Sequence, residues 1–169
     1  FPTWHSGPLS DAHHARALGG GQDGMLAEEV VLPERAWLKL PDSLSYAAAA
    51  TLPCDGVTAY HALFHAAALK PGDTVLLQGT GGVSIFRLQL APAAGATVVL
   101  MTSDETRDGR MLAARLAEER VTVMQATPAT WRVLLDSGWR NETGVRVLAG
   151  GEALPVELAT ALLAISPSL

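Results

Sequence analysis

Residues 74–78 are a run of β-formers that opens directly into Gly79-Thr80-Gly81-Gly82-Val83-Ser84, and a helical pattern over residues 83–91 leaves that turn. Strand, glycine turn and helix start in succession constrain the chain more than any other feature. The pattern demands an α/β layer, and it places several backbone N–H groups at a helix N-terminus. Those amides, helped by the helix dipole, suit a pyrophosphate. Glycines let the main chain approach such a ligand without a Cβ in the way. The third glycine of a G-x-G-x-x-G pattern is Ser84 here. From the glycines alone, a tight strand–helix turn of any α/β protein is an equal reading.

Strand-like runs recur at about residues 97–101, 121–126 and 145–149, alternating with helical patterns at about 82–91, 107–120, 128–138 and 155–165. Such alternation favours a parallel sheet covered on both faces. Leu112, Leu116 and Ala117 give one helix an apolar face, and Trp131, Val133 and Leu134 do so for the next. Trp131 and Trp139 are expected as core anchors rather than stacking platforms.

The chain has 169 residues, 49% of them hydrophobic and 17% charged, which supports a buried core and argues against disorder. Its net charge of −5 comes without a basic stripe, so nucleic acid is not expected as a partner. No apolar run reaches membrane-spanning length, so no membrane partner is expected either. With Cys54 as the only cysteine, no internal disulfide can form, and the chain reads as cytoplasmic. It opens on Phe1 and stops at Ser-Pro-Ser-Leu, and both ends read as cut from something longer.

Residues 1–23 are polar and turn-rich, and His13 and His14 within them read as a surface pair. Residues 25–32 and 36–40 resemble two short strands punctuated by Pro33 and Pro41. Ser45 can cap a short helix that ends at Pro53, and a second helix is expected over about residues 56–68. His61 and His65 share a face of it at i and i+4, but Ala62 follows where a metalloprotease helix carries glutamate, so no metal is expected there. Cys54 is by default a small apolar residue.

The order Asp23-Gly24-Met25-Leu26-Ala27-Glu28, Ala50-Thr51-Leu52-Pro53-Cys54, Thr58-Ala59-Tyr60 and Lys70-Pro71-Gly72-Asp73-Thr74-Val75-Leu76, followed by Gly79-Thr80-Gly81-Gly82-Val83-Ser84, resembles the medium-chain dehydrogenase/reductase family over about residues 1–95. The nearest branch is the alcohol dehydrogenase and quinone oxidoreductase group. The resemblance implies the end of a GroES-like β-barrel catalytic domain over residues 1–55 and the start of an NAD(P)-binding Rossmann domain over residues 56–96. It implies hydride transfer to a carbonyl or enone. It places Gly79, Thr80, Gly81, Gly82, Val83 and Ser84 on the cofactor pyrophosphate, and Thr58 beside the nicotinamide. Cys54 falls where zinc-dependent members place a ligand. Many members of this branch lack zinc, so zinc is not the expected cofactor. No residue is assigned as the proton donor. At the end of the next strand, Thr102 and Ser103 with Arg107 suit a ribose 2′-phosphate, so NADP(H) is expected over NAD(H). Asp104 and Glu105, one step beyond, would reverse that preference.

Pro92 interrupts the resemblance. An interior helix proline costs about 3 kcal/mol, and the family carries a basic residue at this point. Beyond it, Val121-Thr122-Val123-Met124-Gln125-Ala126-Thr127-Pro128-Ala129-Thr130-Trp131, Leu134-Leu135-Asp136-Ser137-Gly138-Trp139 and Val147-Leu148-Ala149-Gly150-Gly151-Glu152-Ala153-Leu154-Pro155 resemble the adenylation domain of nonribosomal peptide synthetases, an AMP-binding, adenylate-forming family. That resemblance covers about residues 96–169 and implies a βαβαβα fragment over residues 97–169. It places Val147 and Ala149 along an amino-acid pocket, and Gly150, Gly151 and Glu152 beside an adenine. The family's phosphate loop, acidic magnesium ligand, hinge and carboxy-terminal lysine have no counterpart in these residues, so ATP use is not expected.

The chain is therefore expected to be a chimera: an α/β, Rossmann-like parallel sheet with flanking helices, preceded by the end of a GroES-like barrel. The junction is expected at residues 90–97, with weaker packing there. Its function is expected to be that of an oxidoreductase fragment with a small-molecule cofactor and substrate; an inactive hybrid remnant is the alternative. Oligomerisation is left open.

Overall fold

The central strand β1, Thr74–Gln78, forms where β-branched and leucine residues follow the Pro71-Gly72-Asp73 turn. A computed structural model describes residues 1–4 and 6–166. Contacts divide it into two units, Phe1–Ser45 and the part from Tyr46 onward.

In the second unit, a short helix α2, Tyr46–Ala49, precedes a helical run to Ala66. That run is wound as a π-helix over Leu52–Gly56, as the α-helix α3 over Val57–Tyr60, and again as a π-helix over His61–Ala66. Pro53 does not separate two helices by ending one. It sits in the first turn of the run, where its missing N–H has no helical partner to lose. After β1 come α4 (Gly82–Ala93), β2 (Thr97–Met101), α5 (Gly109–Glu118), β3 (Val123–Ala126), α6 (Pro128–Asp136), β4 (Arg146–Ala149) and α7 (Val156–Ile165).

The four strands pair in the order β2-β1-β3-β4, all parallel. Alternation along each strand sends side chains to two separate cores. Leu76, Met124 and Val147 pack with Leu112, Trp131, Leu134, Leu158 and Leu162 of α5, α6 and α7. Val75, Leu77 and Val123 pack with Ala91 of α4 and with Leu63 and Ala67 at the end of the helical run. The sheet is thus covered on both faces, as its near-continuous apolar strands require. The chain steps from β1 to β2 in one direction and then crosses to β3 on the other side of β1. That reversal makes the β1/β3 boundary the topological switch point of the sheet.

Packing at the expected junction is not loose. Ala91 and Ala96 are buried. Pro92 is the penultimate residue of α4, so its lost hydrogen bond falls in the last turn. Gly95, at φ +79°, closes the helix. Its N–H donates to the Pro92 carbonyl at 2.9 Å, and the Ala96 N–H donates to the Ala91 carbonyl at 3.0 Å. These two bonds form a Schellman motif.

The junction is also stitched across the sheet. Arg146 on β4 pairs with Asp73 just before β1 and donates to the Ala67 and Ala68 carbonyls. The Thr122 hydroxyl, just before β3, donates to the same Asp73 carboxylate at 2.8 Å, and the Lys70 amide donates to it at 2.7 Å. Residues from both sides of the splice therefore share one half-buried polar network.

The first unit holds α1 (Asp11–His14), a 3-10 turn at Glu34–Ala36 and an isolated bridge between Leu18 and Gln22. The strand-like runs at 25–32 and 36–40 are not strands, and no ladder of a barrel end is present among the described residues of 1–55. A strand needs a neighbour to take its N–H and C=O groups. Leu26, Val31 and Leu38 are 106%, 97% and 91% exposed, so no core holds these segments either. Limited proteolysis with chymotrypsin is accordingly expected to cut at Leu26, Trp37 or Leu38 well before any bond between residues 89 and 97. Intact-mass analysis of the first fragments checks this, and early cleavage at Leu90 would contradict it.

Candidate functional site at the carboxyl edge of the sheet

Ligands of open α/β sheets bind beyond the carboxyl ends of the strands, at the switch point. Here that edge collects Gln78 and the turn after β1, Thr127 after β3, and Gly150–Gly151 after β4. Gly79 stands at φ +65°, a left-handed conformation that a glycine adopts at no steric cost. Its N–H donates to the Met101 carbonyl at 2.9 Å, prolonging the β1/β2 ladder. Gly81 is the N-cap of α4, and no side chain caps the helix. The first α-helical bond runs from the Ile85 N–H to the Gly81 carbonyl at 3.0 Å. The amides of Gly82, Val83 and Ser84 are therefore first-turn donors without an intrahelical acceptor. Ser84 is half-buried, and its hydroxyl donates back to the Gln78 carbonyl at 3.3 Å, which fixes the turn against the strand.

A Cβ at Gly82 would collide with the Asp55 carboxylate. Asp55 thus lies against the first residue of α4, where a negative charge is stabilised by the helix dipole and competes with any incoming anion. Nothing local in the sequence marks Asp55; only the folding of the helical run against α4 brings it to the turn.

Of the other expected positions, Ser103 is brought in. Its Oγ lies 3.9 Å from where a Cβ on Gly79 would stand. Thr102 is already engaged: its amide and hydroxyl each donate to the Glu105 carboxylate at 2.8 Å. Those bonds, with the Arg115 charge, hold the Glu105 pKa below its ordinary value despite slight desolvation. Arg107 meets Asp104 at 3.4 Å, both side chains largely in solvent, so its charge is partly offset locally. Thr58 is exposed on α3. Cys54 is exposed, and the described residues hold no group of three or more His, Cys, Asp or Glu side chains suited to a metal. His61 and His65 stack with ring centroids 5.5 Å apart. They border an apolar groove of about 500 Å3 between the helical run and α4, with Leu52, Tyr60 and Phe86.

The second glycine turn lies on the other side of β3. The Gly150 N–H donates to the Ala126 carbonyl at 3.2 Å, and Gly151 stands at φ +91°. A Cβ at Gly150 would lie 3.2 Å from Gln125 Nε2, and one at Gly151 3.6 Å from Thr127 Cγ2. Thr127 caps α6, its hydroxyl accepting from the Thr130 N–H at 3.4 Å. The Thr130 hydroxyl reaches Gln78 Oε1 at 3.5 Å. Both glycine motifs therefore flank the end of β3, linked through Gln78 and Thr130. Of the residues expected along an amino-acid pocket, Val147 is fully buried in the core and Ala149 packs against that core, while Gly151 and Glu152 are exposed.

A family model for AMP-binding enzymes matches residues 83–168. The chain belongs to the AMP-binding enzyme family. The family match begins inside α4, ahead of the junction expected from sequence. The chain is also similar to dehydrogenases. A zinc-type alcohol dehydrogenase-like protein of Schizosaccharomyces pombe, C1773.06c, is 43% identical over 109 residues, covering 63% of this chain and 32% of that protein. A solved structure named as an alcohol dehydrogenase from Sinorhizobium meliloti 1021 aligns at 30% identity and a TM-score of 0.60, over 85% of this chain and 49% of that one. The structure of holo-AB3403, a four-domain nonribosomal peptide synthetase bound to AMP and glycine, aligns at 31% identity and a TM-score of 0.56, over 66% of this chain and 8% of that one. The chimeric description holds, and the α/β parallel sheet is the architecture it implies. The chain spans a third or less of the curated relatives it matches first.

Proposed function

We propose that the chain is a fragment of a medium-chain oxidoreductase that retains the dinucleotide grip of its relatives at the Gly79–Ser84 turn. The observation that carries this reading is the uncapped N-terminus of α4 at the β1/β3 switch point, on a strand–turn–helix unit similar to an alcohol dehydrogenase. The amides of Gly82, Val83 and Ser84 would bind the diphosphate, and Ser103, beside Gly79, would face the ribose. A bound nicotinamide supplies hydride transfer to a carbonyl or enone; this chain's own residues bind and orient it. NADP(H) is favoured over NAD(H) on the Ser103 hydroxyl beside Gly79, with Arg107 nearby; Thr102 would have to leave Glu105, and Arg107 to leave Asp104, for either to meet a 2′-phosphate. Zinc takes no part in this reading.

Titration of NADPH against the protein, followed by nicotinamide fluorescence, tests it. Saturable binding with a submillimolar Kd is expected, and no binding at millimolar cofactor removes the reading. Asp55→Asn is expected to tighten binding about two- to fivefold, the scale of one charge at a helix N-terminus. A second reading, an inactive adenylation remnant, is favoured by the family match and the Gly150–Gly151 turn beside β3. Absence of NADPH binding by the folded chain favours this second reading, whereas amino-acid-dependent exchange of pyrophosphate into ATP is expected of neither and would overturn both.

A further inference from the structure

β2 is an edge strand, paired with β1 alone. The Thr97 N–H donates to the Asp73 carbonyl at 2.8 Å, and the Met101 carbonyl accepts from the Gly79 N–H at 2.9 Å. A strand residue points its N–H and C=O to the same side, and successive residues alternate. Val98 and Leu100 therefore turn theirs away from the sheet, and neither has a backbone partner there among the described residues. Soluble proteins blunt such edges with charges, proline, bulges or a covering element. Residues 97–101 carry no charge and no proline, their register with β1 runs without a bulge, and Leu100 is 44% exposed. The opposite edge, β4, is shorter and opens on Arg146. The β2 pattern is self-complementary. In an antiparallel ladder with a copy of itself, centred on Val99, Val98 faces the partner's Leu100 and Leu100 faces the partner's Val98. Both are outward residues, so each facing pair exchanges both of its N–H···O bonds. Val98 and Leu100 also share a face of the sheet, with Val98 against the core under α4, so the ladder lays each exposed Leu100 on the partner's Val98. Beyond the strand, Thr102, Ser103 and Asp104 would run beside the uncharged Ala96, Gly95 and Ala94 of the copy, so no like charges meet.

We propose that the β2 edge is a self-association surface, on which two copies of this chain pair antiparallel through Val98 and Leu100, across a two-fold axis at Val99, into one continuous sheet. Two-fold pairing consumes this edge on both chains, so the assembly closes at the dimer. So short a ladder suits reversible association at high chain concentration and not an obligate dimer. The proposal does not rest on the dehydrogenase reading.

Sedimentation velocity on the whole chain, from low micromolar to near-millimolar concentration, tests the proposal, and a reversible monomer–dimer equilibrium is expected. Leu100→Lys puts a charge on the edge, and Leu100→Pro removes an N–H that no bond within the chain uses. Each is expected to weaken association by about tenfold or more, the scale of two hydrogen bonds lost per dimer, with the far-UV circular dichroism of the parent retained. Met111→Lys adds the same charge at an exposed position of α5 and is expected to leave association unchanged. In a Cys54→Ser background, Val98→Cys and Leu100→Cys chains should form a disulfide dimer faster when mixed than either does alone, because only those two positions stand opposite each other. A chain that stays monomeric throughout, a dimer that Leu100→Lys leaves intact, one that Met111→Lys weakens equally, or growth beyond the dimer would each overturn the proposal. So would a mixture that cross-links no faster than the separate chains.

Discussion

Trp131→Ala is expected to lower the unfolding free energy by about 3–5 kcal/mol, the scale of emptying a large buried aromatic site. Trp131 has no exposed surface and lies among Leu112, Leu134, Val147 and Leu162 in the core under α5, α6 and α7. Its indole Nε1 also donates to the Leu148 carbonyl at 3.1 Å, tying α6 to β4. Trp139 leans on it with ring centroids 6.3 Å apart, so the truncation loosens a second aromatic as well. Domains of this size are stable by only about 5–15 kcal/mol, so the variant is expected at the edge of folding. Trp131→Phe keeps most of the packing, loses the N–H bond and should cost about 1–2 kcal/mol. Urea unfolding followed by far-UV circular dichroism measures both. A loss below about 1 kcal/mol for Trp131→Ala would mean that this core is not packed as described.

Arg146→Ala is expected to cost about 3 kcal/mol, because it strands the Asp73 carboxylate in a half-buried site. The Arg146 and Asp73 side chains are 25% and 13% exposed, which sets this pair apart from a surface ion pair. The same change removes donors from the Ala67 and Ala68 carbonyls at the end of the helical run. Asp73→Asn in the Arg146→Ala background should recover part of the loss, and a double-mutant cycle reads the coupling. The pair also sets a pH dependence. Desolvation raises the Asp73 pKa, but the Arg146 hydrogen bond and charge, the Lys70 amide and the Thr122 hydroxyl outweigh it and leave the group below its ordinary value of 3.8. The folded state thus binds this proton less readily than the unfolded chain. The stabilisation is complete above the ordinary value and is lost as pH falls through the lower folded value. Acid unfolding of Arg146→Ala should show a shallower dependence in that window than the parent, and identical profiles would remove Asp73 from the account.

This network bears on how two sequence families can share one sheet. Asp73 and Ala67 come from the dehydrogenase-like part, and Thr122 and Arg146 from the part matched by the AMP-binding model. The Schellman closure at Gly95 and the Asp73–Arg146 pair give the splice a defined geometry, contrary to the looser packing anticipated around residues 90–97. Parallel strand–helix units are interchangeable in outline, since each offers the same ladder and one apolar helix face. Arg87 on α4 donates to Gln125 on β3 at the same seam.

Local signals determined much of this chain by themselves. The strands at 74–78 and 97–101 lie where β-branched and leucine runs place them, and the glycine turn, with Gly79 at positive φ, follows from residues in immediate succession. The helices α5, α6 and α7 follow their apolar residues, and α5 and α6 also their side-chain caps at Asp108 and Thr127. Local pattern misled at residues 25–32 and 36–40, because β-propensity expresses itself only where a neighbouring strand receives the backbone hydrogen bonds. It could not show Asp55 against Gly82, Arg87 against Gln125, or Arg146 against Asp73. Those pairs are brought together by the order β2-β1-β3-β4 and the packing of helices on its faces. Propensity acts over a few residues, whereas charge pairing and burial act through space, and only the closed sheet sets which distant groups meet.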